Sequence, residues 1–110
     1  MSFIETEEQK ELRASVSKLG ERFNYVDYVL PKARKGEPLT ELWNEAGKLG
    51  FLGVNLPEEY GGSGGGVMEE VIVLEELARH SSSIALAYGL DVCFGAVTIE
   101  RHGTPAQRKE

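Results

Sequence analysis

Apolar residues recur at Leu12, Val16, Leu19, Phe23, Val26 and Leu30, in alternating steps of four and three. That rhythm predicts one long helix with a single apolar stripe, better suited to packing than to a coiled-coil seam because Gly20 interrupts it. Thr6-Glu7-Glu8-Gln9 ahead of the stripe reads as a capping box. Glu7, Glu8 and Glu11 place acid where the helix macrodipole favours it. Pro31 is expected to end or kink this helix, with Lys32-Ala33-Arg34-Lys35 as its solvated basic end. A second stripe follows the break at Gly36-Glu37-Pro38. It holds Leu39, Leu42, Trp43, Ala46 and Leu49, with Pro38 suited to the first turn and Gly50 to the C-terminal cap. Trp43 on this face reads as a core anchor.

The third predicted helix runs from Val67 to His80. Val67, Val71, Leu74 and Ala78 share a stripe, Ile72, Val73 and Leu77 lie off it, and Glu69, Glu70, Glu75, Glu76 and Arg79 read as a solvated strip. Ser81-Ser82-Ser83 offers N-cap hydroxyls for a fourth helix, Ile84 to His102. From Ile84 to Ile99, sixteen residues, only Asp91 is charged. That is short of the ~20 residues needed to span a bilayer, so no membrane span is expected. The expectation is instead a central helix wrapped by the others. Its small residues, Ala85, Ala87, Gly89, Gly95 and Ala96, would admit either a close neighbour or a ligand. Gly103 would cap it. Thr104-Pro105-Ala106-Gln107 is a second capping box, starting a fifth helix at Pro105. A helix start so soon before Glu110 gives the look of a chain cut from something longer.

Between the second and third helices lies Gly50 to Gly66, seven glycines in seventeen residues. Phe51, Leu52, Val54, Leu56 and Tyr60 are too dense for a flexible linker, so an ordered crossover is expected. The fold class read from these patterns is all-α: an up-down bundle of four main helices plus the start of a fifth, with a Gly-rich crossover.

Composition adjusts this picture little. The 110 residues suffice for one domain. A formal net charge of −6 argues against general nucleic-acid affinity. The acidic start, MSFIETEEQ, resembles neither a secretory signal nor an Arg-rich transit peptide. One cysteine, Cys93, cannot form an internal disulfide and reads as an inert buried thiol, which suits a reducing cytoplasm. There is no phosphate-loop Lys-Ser/Thr after Gly61–Gly66, no Cys-x-x-Cys and no His-x-x-x-His. No catalytic residue and no metal site emerge, and His102 suits a helix C-terminus rather than catalysis.

Leu42-Trp43-Asn44-Glu45-Ala46-Gly47-Lys48-Leu49-Gly50-Phe51-Leu52-Gly53-Val54, then Leu56-Pro57-Glu58-Glu59-Tyr60-Gly61-Gly62, resembles the N-terminal helical domain of the acyl-CoA dehydrogenases. Thr6-Glu7-Glu8-Gln9, Val73-Leu74-Glu75-Glu76-Leu77-Ala78-Arg79 and His102-Gly103-Thr104-Pro105-Ala106-Gln107 fit the same pattern in the same order. The resemblance implies a parent that binds FAD, desaturates an acyl-CoA thioester between Cα and Cβ, passes electrons to an electron-transfer flavoprotein and assembles as a tetramer. It also implies that the flavin-binding β domain and the catalytic glutamate lie outside these 110 residues, so the chain alone is expected to be inactive and to contribute pocket wall and oligomer surface. The wall residues it implies are Leu86, Ala87, Leu90, Cys93 and Phe94. Leu90 falls near where some members place a polar residue, which implies an apolar acyl tail. Tyr60 and its glycines are expected to be architectural. Two rivals remain: the same domain of an acyl-CoA oxidase or flavin monooxygenase, and a free-standing helical binding module without flavin.

Overall fold

A computed structural model describes residues 4–110. Among these the chain is helical with no strand. Helix α1 (Glu7–Arg22) starts at the expected capping box, with the Gln9 amide donating to Thr6 Oγ1 and the Thr6 amide to Gln9 Oε1. It ends eight residues early. The chain extends at Asn24, whose side chain accepts from the Asp27 amide and so opens a new helix. That helix begins as a π turn (Tyr25–Val29) and continues as α2 (Leu30–Lys35) through Pro31. The expected single stripe is therefore corrected. Val29 replaces Val26 in the core, and Val26 faces solvent. Pro31 does not stop the helix, because the wider π turn before it relieves the clash between its ring and the preceding carbonyls. Gly36, in the left-handed region, ends α2.

Helix α3 (Thr40–Lys48) starts just after Pro38, and Gly50, at φ 83°, turns the chain out of it as expected. Leu42 and Ala46 are buried, but Leu49 is half exposed and Trp43 only partly covered. The crossover is ordered. Two 3₁₀ turns, Phe51–Gly53 and Glu58–Tyr60, bury Phe51 and Val54. The Ser63, Gly64 and Gly65 amides donate to the carbonyls of Gly53, Leu56 and Val54. A Cβ at Gly62 would lie 2.2 Å from the Leu56 carbonyl oxygen, so this close approach of two backbones requires glycine.

Helix α4 (Val67–His80) matches the predicted limits. Its buried face does not match: Ile72, Val73, Glu76 and Leu77 are covered, while Val67 and Val71 face solvent. Helix α5 (Ser82–His102) is one continuous rod, capped by Ser81 and widened to a π helix at Gly89–Ala96. Helix α6 (Pro105–Lys109) follows its capping box as predicted.

The core joins Val16, Leu19 and Phe23 of α1 to Leu42, Phe51, Val54, Val73, Leu77, Ile84, Tyr88 and Val92. Helix α1 lies along α4, and α4 along α5. The molecule measures 39 × 36 × 21 Å. Its thin dimension is about two helix diameters of 10–12 Å. In such a slab no helix is surrounded, and the expected wrapped central helix is corrected on that ground.

Candidate functional site

Helix α5 has two unlike sides. Ile84, Ala85, Tyr88 and Val92 are buried on the core side. Leu86, Leu90 and Phe94 are 65%, 57% and 65% exposed, and Ala87 is exposed beside them. Positions four apart drift around an α-helix, which turns every 3.6 residues. The π segment from Gly89 holds more residues per turn and counters that drift. Leu86, Leu90 and Phe94 thus form one apolar strip. Of the five expected wall residues, these three and Ala87 face outward, while Cys93 is half-buried on the flank.

Cys93 lines a groove of about 330 Å³ with Asn55, Val67, Glu70, Val97, Glu100 and Arg101. Burial, then the neighbouring Glu70 carboxylate, push its thiol up to about 12, so it stays a thiol and unreactive near neutral pH. A second groove, of about 400 Å³ and almost wholly apolar, runs between α3 and α5. Leu39, Leu42 and Trp43 form one wall, and Ile84 and Ala87 the other. Trp43 is thus partly buried groove lining rather than the expected core anchor. At 21 residues, with a mean hydropathy of 1.5 over its most apolar 18, α5 is long and apolar enough to cross a membrane, further than the sixteen residues counted from the sequence. One side of it is nevertheless committed to protein.

Two residues missed by the sequence reading hold this frame together. The Tyr88 hydroxyl, 1% exposed as a residue, donates to the Phe51 carbonyl at 3.0 Å, joining α5 to the crossover. Burial, then the charge of nearby groups, raise its pKa, which keeps it a neutral donor. Glu76, expected in water, is 1% exposed. Arg13 Nη1 reaches its Oε1 at 2.8 Å and Arg79 Nη1 its Oε2 at 3.0 Å. Arg13 also donates from Nε to Glu5 at 2.8 Å and from Nη1 to Glu75 at 2.7 Å. Burial alone would raise the Glu76 carboxyl, but the hydrogen bonds from Arg13 and Arg79 outweigh it and hold it below the usual range.

The larger grooves do not fit a flavin dinucleotide. A diphosphate needs converging donors. The apolar groove has no cationic lining, one groove of about 330 Å³ presents Glu8 with Glu69, and the other sets the single cation Arg101 against Glu70 and Glu100. No step of flavin chemistry follows from these residues. Among the described residues no group of three or more metal-ligating side chains occurs.

The family model for the acyl-CoA dehydrogenase N-terminal domain matches residues 6–110. The chain is 48% identical over 108 residues to the acyl-CoA dehydrogenase FadE12 of Mycobacterium tuberculosis, covering 98% of this chain and 27% of that protein. It is 37% identical over 105 residues to the mitochondrial isovaleryl-CoA dehydrogenase of Bos taurus, covering 94% of this chain and 25% of that one. A solved chain from work on the electron transferring flavoprotein of Acidaminococcus fermentans and flavin-based electron bifurcation superimposes with a TM-score of 0.81 at 26% identity. That match covers 99% of this chain and 28% of the other. The chain thus spans about a quarter of the length of these relatives. With the family model covering residues 6–110, the chain belongs to the acyl-CoA dehydrogenase family and corresponds to the N-terminal domain.

Proposed function

We propose that this domain serves a flavin-dependent acyl-CoA dehydrogenase by supplying one wall of the acyl-chain pocket. The observation that carries the reading is the outward strip of Leu86, Leu90 and Phe94, with Ala87 beside it and Cys93 on its flank. Large apolar side chains left in water cost roughly 25 cal/mol per Å² relative to burial, so a strip of three is a surface awaiting cover. An acyl chain lying on it would meet methyl, methylene and phenyl groups but no charged atom of these five residues, which suits an unsubstituted tail. FAD and the catalytic base belong to the parts of the parent outside this domain. Within the parent, bound FAD would supply a hydride acceptor for the β hydrogen, and a base outside these residues would take the α proton. Electrons then pass to an electron-transfer flavoprotein, and other faces of the domain serve the oligomer. The names of the curated relatives support the reaction class.

The test is to express the full-length parent with FAD and follow flavin absorbance on adding straight and branched acyl-CoAs from C4 to C16. Bleaching with at least one is the expected result. No bleaching with any of them counts against the reading.

A further inference from the structure

We propose that Tyr88 is a positioning residue that sets the rotation of α5, and through it which side chains meet the acyl chain. The inference rests on the pocket-wall reading above. Tyr88 is among the largest fully buried side chains of the domain. It stands at the end of the α-helical part of α5, directly before the π segment begins at Gly89. Its hydroxyl donates to the Phe51 carbonyl at 3.0 Å, across 37 residues of chain. Phe51 is itself buried in the first turn of the crossover.

Apolar contacts from Ile84, Ala85 and Val92 press α5 against the core, but such contacts are non-directional and tolerate rotation. A hydrogen bond to a fixed carbonyl does not tolerate it. Its placement matters because the helix changes pitch one residue later. A change of phase at Tyr88 carries through Gly89–Ala96 and moves Leu90 and Phe94 together. Cys93 lines a groove with Glu70 further along the same rod. Tyr88 thus fixes the phase where the pitch changes, and Cys93 marks the flank beyond it.

The experiment uses two samples. In the 110-residue chain, Tyr88→Phe keeps the ring and removes the tie. Hydrogen exchange is then expected to quicken at least tenfold across residues 86–96 and by clearly less across α1, and an equal rise in both overturns the proposal. Unchanged exchange in residues 86–96 overturns the proposal. In the full-length enzyme, kcat and KM are measured for a series of acyl-CoAs. The expected result is a shift of at least threefold in the ratio of kcat/KM between long and short or branched substrates, with kcat on the best substrate kept within twofold. A uniform loss across the series overturns the positioning role and leaves Tyr88 merely structural. If the wild-type enzyme turns over no acyl-CoA, the pocket-wall reading fails instead, and the positioning role in the specificity sense falls with it.

Discussion

The α1–α4 seam and the outer side of α5 are both rich in side-chain chemistry, yet one is finished within this chain and the other is open. Along the seam Val16 and Val73 are fully buried, Arg13 and Arg79 satisfy the buried Glu76, and Gly20 lets the His80 ring lie against the α1 backbone. On α5 the outward side chains are as apolar as those inside, but Leu86, Leu90 and Phe94 stay more than half exposed. The difference teaches where to look for function. A charged group buried in the seam is there for architecture. On the pocket-wall reading, an apolar strip in water is where a ligand lies.

The comparison is broken most strongly at Arg13. Arg13→Met removes one of the two cations on a buried carboxylate and is expected to cost about 3 kcal/mol. Chemical denaturation reads this, and a loss under 1 kcal/mol would mean that Arg79 alone suffices. Gly20→Ala comes next. Its Cβ would lie 2.2 Å from His80 Cδ2, so the ring must leave, at about 2 kcal/mol by overpacking. A crystal structure with His80 unmoved and no loss of stability would contradict this. Tyr88→Phe leaves the Phe51 carbonyl buried without its donor, a cost of about 1–2 kcal/mol in the same denaturation assay.

Acid tests the seam without mutation. The folded-state pKa of Glu76 is depressed, so its contribution is full above the unfolded carboxylate pKa of about 4.3 and is lost as pH falls through the lower folded value. Stability should fall below pH ~5, and Glu76→Gln should flatten that fall. An unchanged slope in the variant would place the acid sensitivity elsewhere. The smallest effect belongs to the open side. Leu90→Ser should change the stability of the 110-residue chain by no more than about 0.5 kcal/mol, because an exposed residue has little contact to lose. A loss several times larger would show the strip to be packed.

Several helix limits were legible in the sequence; the pairing along the seam and the exposure of the strip were not. The limits of α4 and α6 follow from local chemistry: the capping box at Thr104 and the serines after His80 act within one turn. Gly50 declared its left-handed turn for the same reason. The break at Asn24 was equally local, since Asn24 three residues before Asp27 is a capping signal, but the unbroken stripe across it hid the stop. Glu76 was not legible, because its burial depends on Arg13, 63 residues away, and no periodicity records that pairing. The buried edge of α5 could have been found, since Ile84, Tyr88 and Val92 are spaced by four. The one-sidedness could not, because a helix apolar all round carries no mark of which side the protein covers. Only the thinness of a slab 21 Å across decides that.

Carbene footprinting of α5, in the 110-residue chain and in the acyl-CoA-bound full-length protein, tests the central claim most directly. The account predicts strong labelling of Leu86, Leu90 and Phe94 in the short chain, weak labelling of Tyr88 and Val92, and loss of label from the strip once acyl-CoA is bound. Weak labelling of the strip in the short chain, or undiminished labelling in the liganded protein, would contradict it.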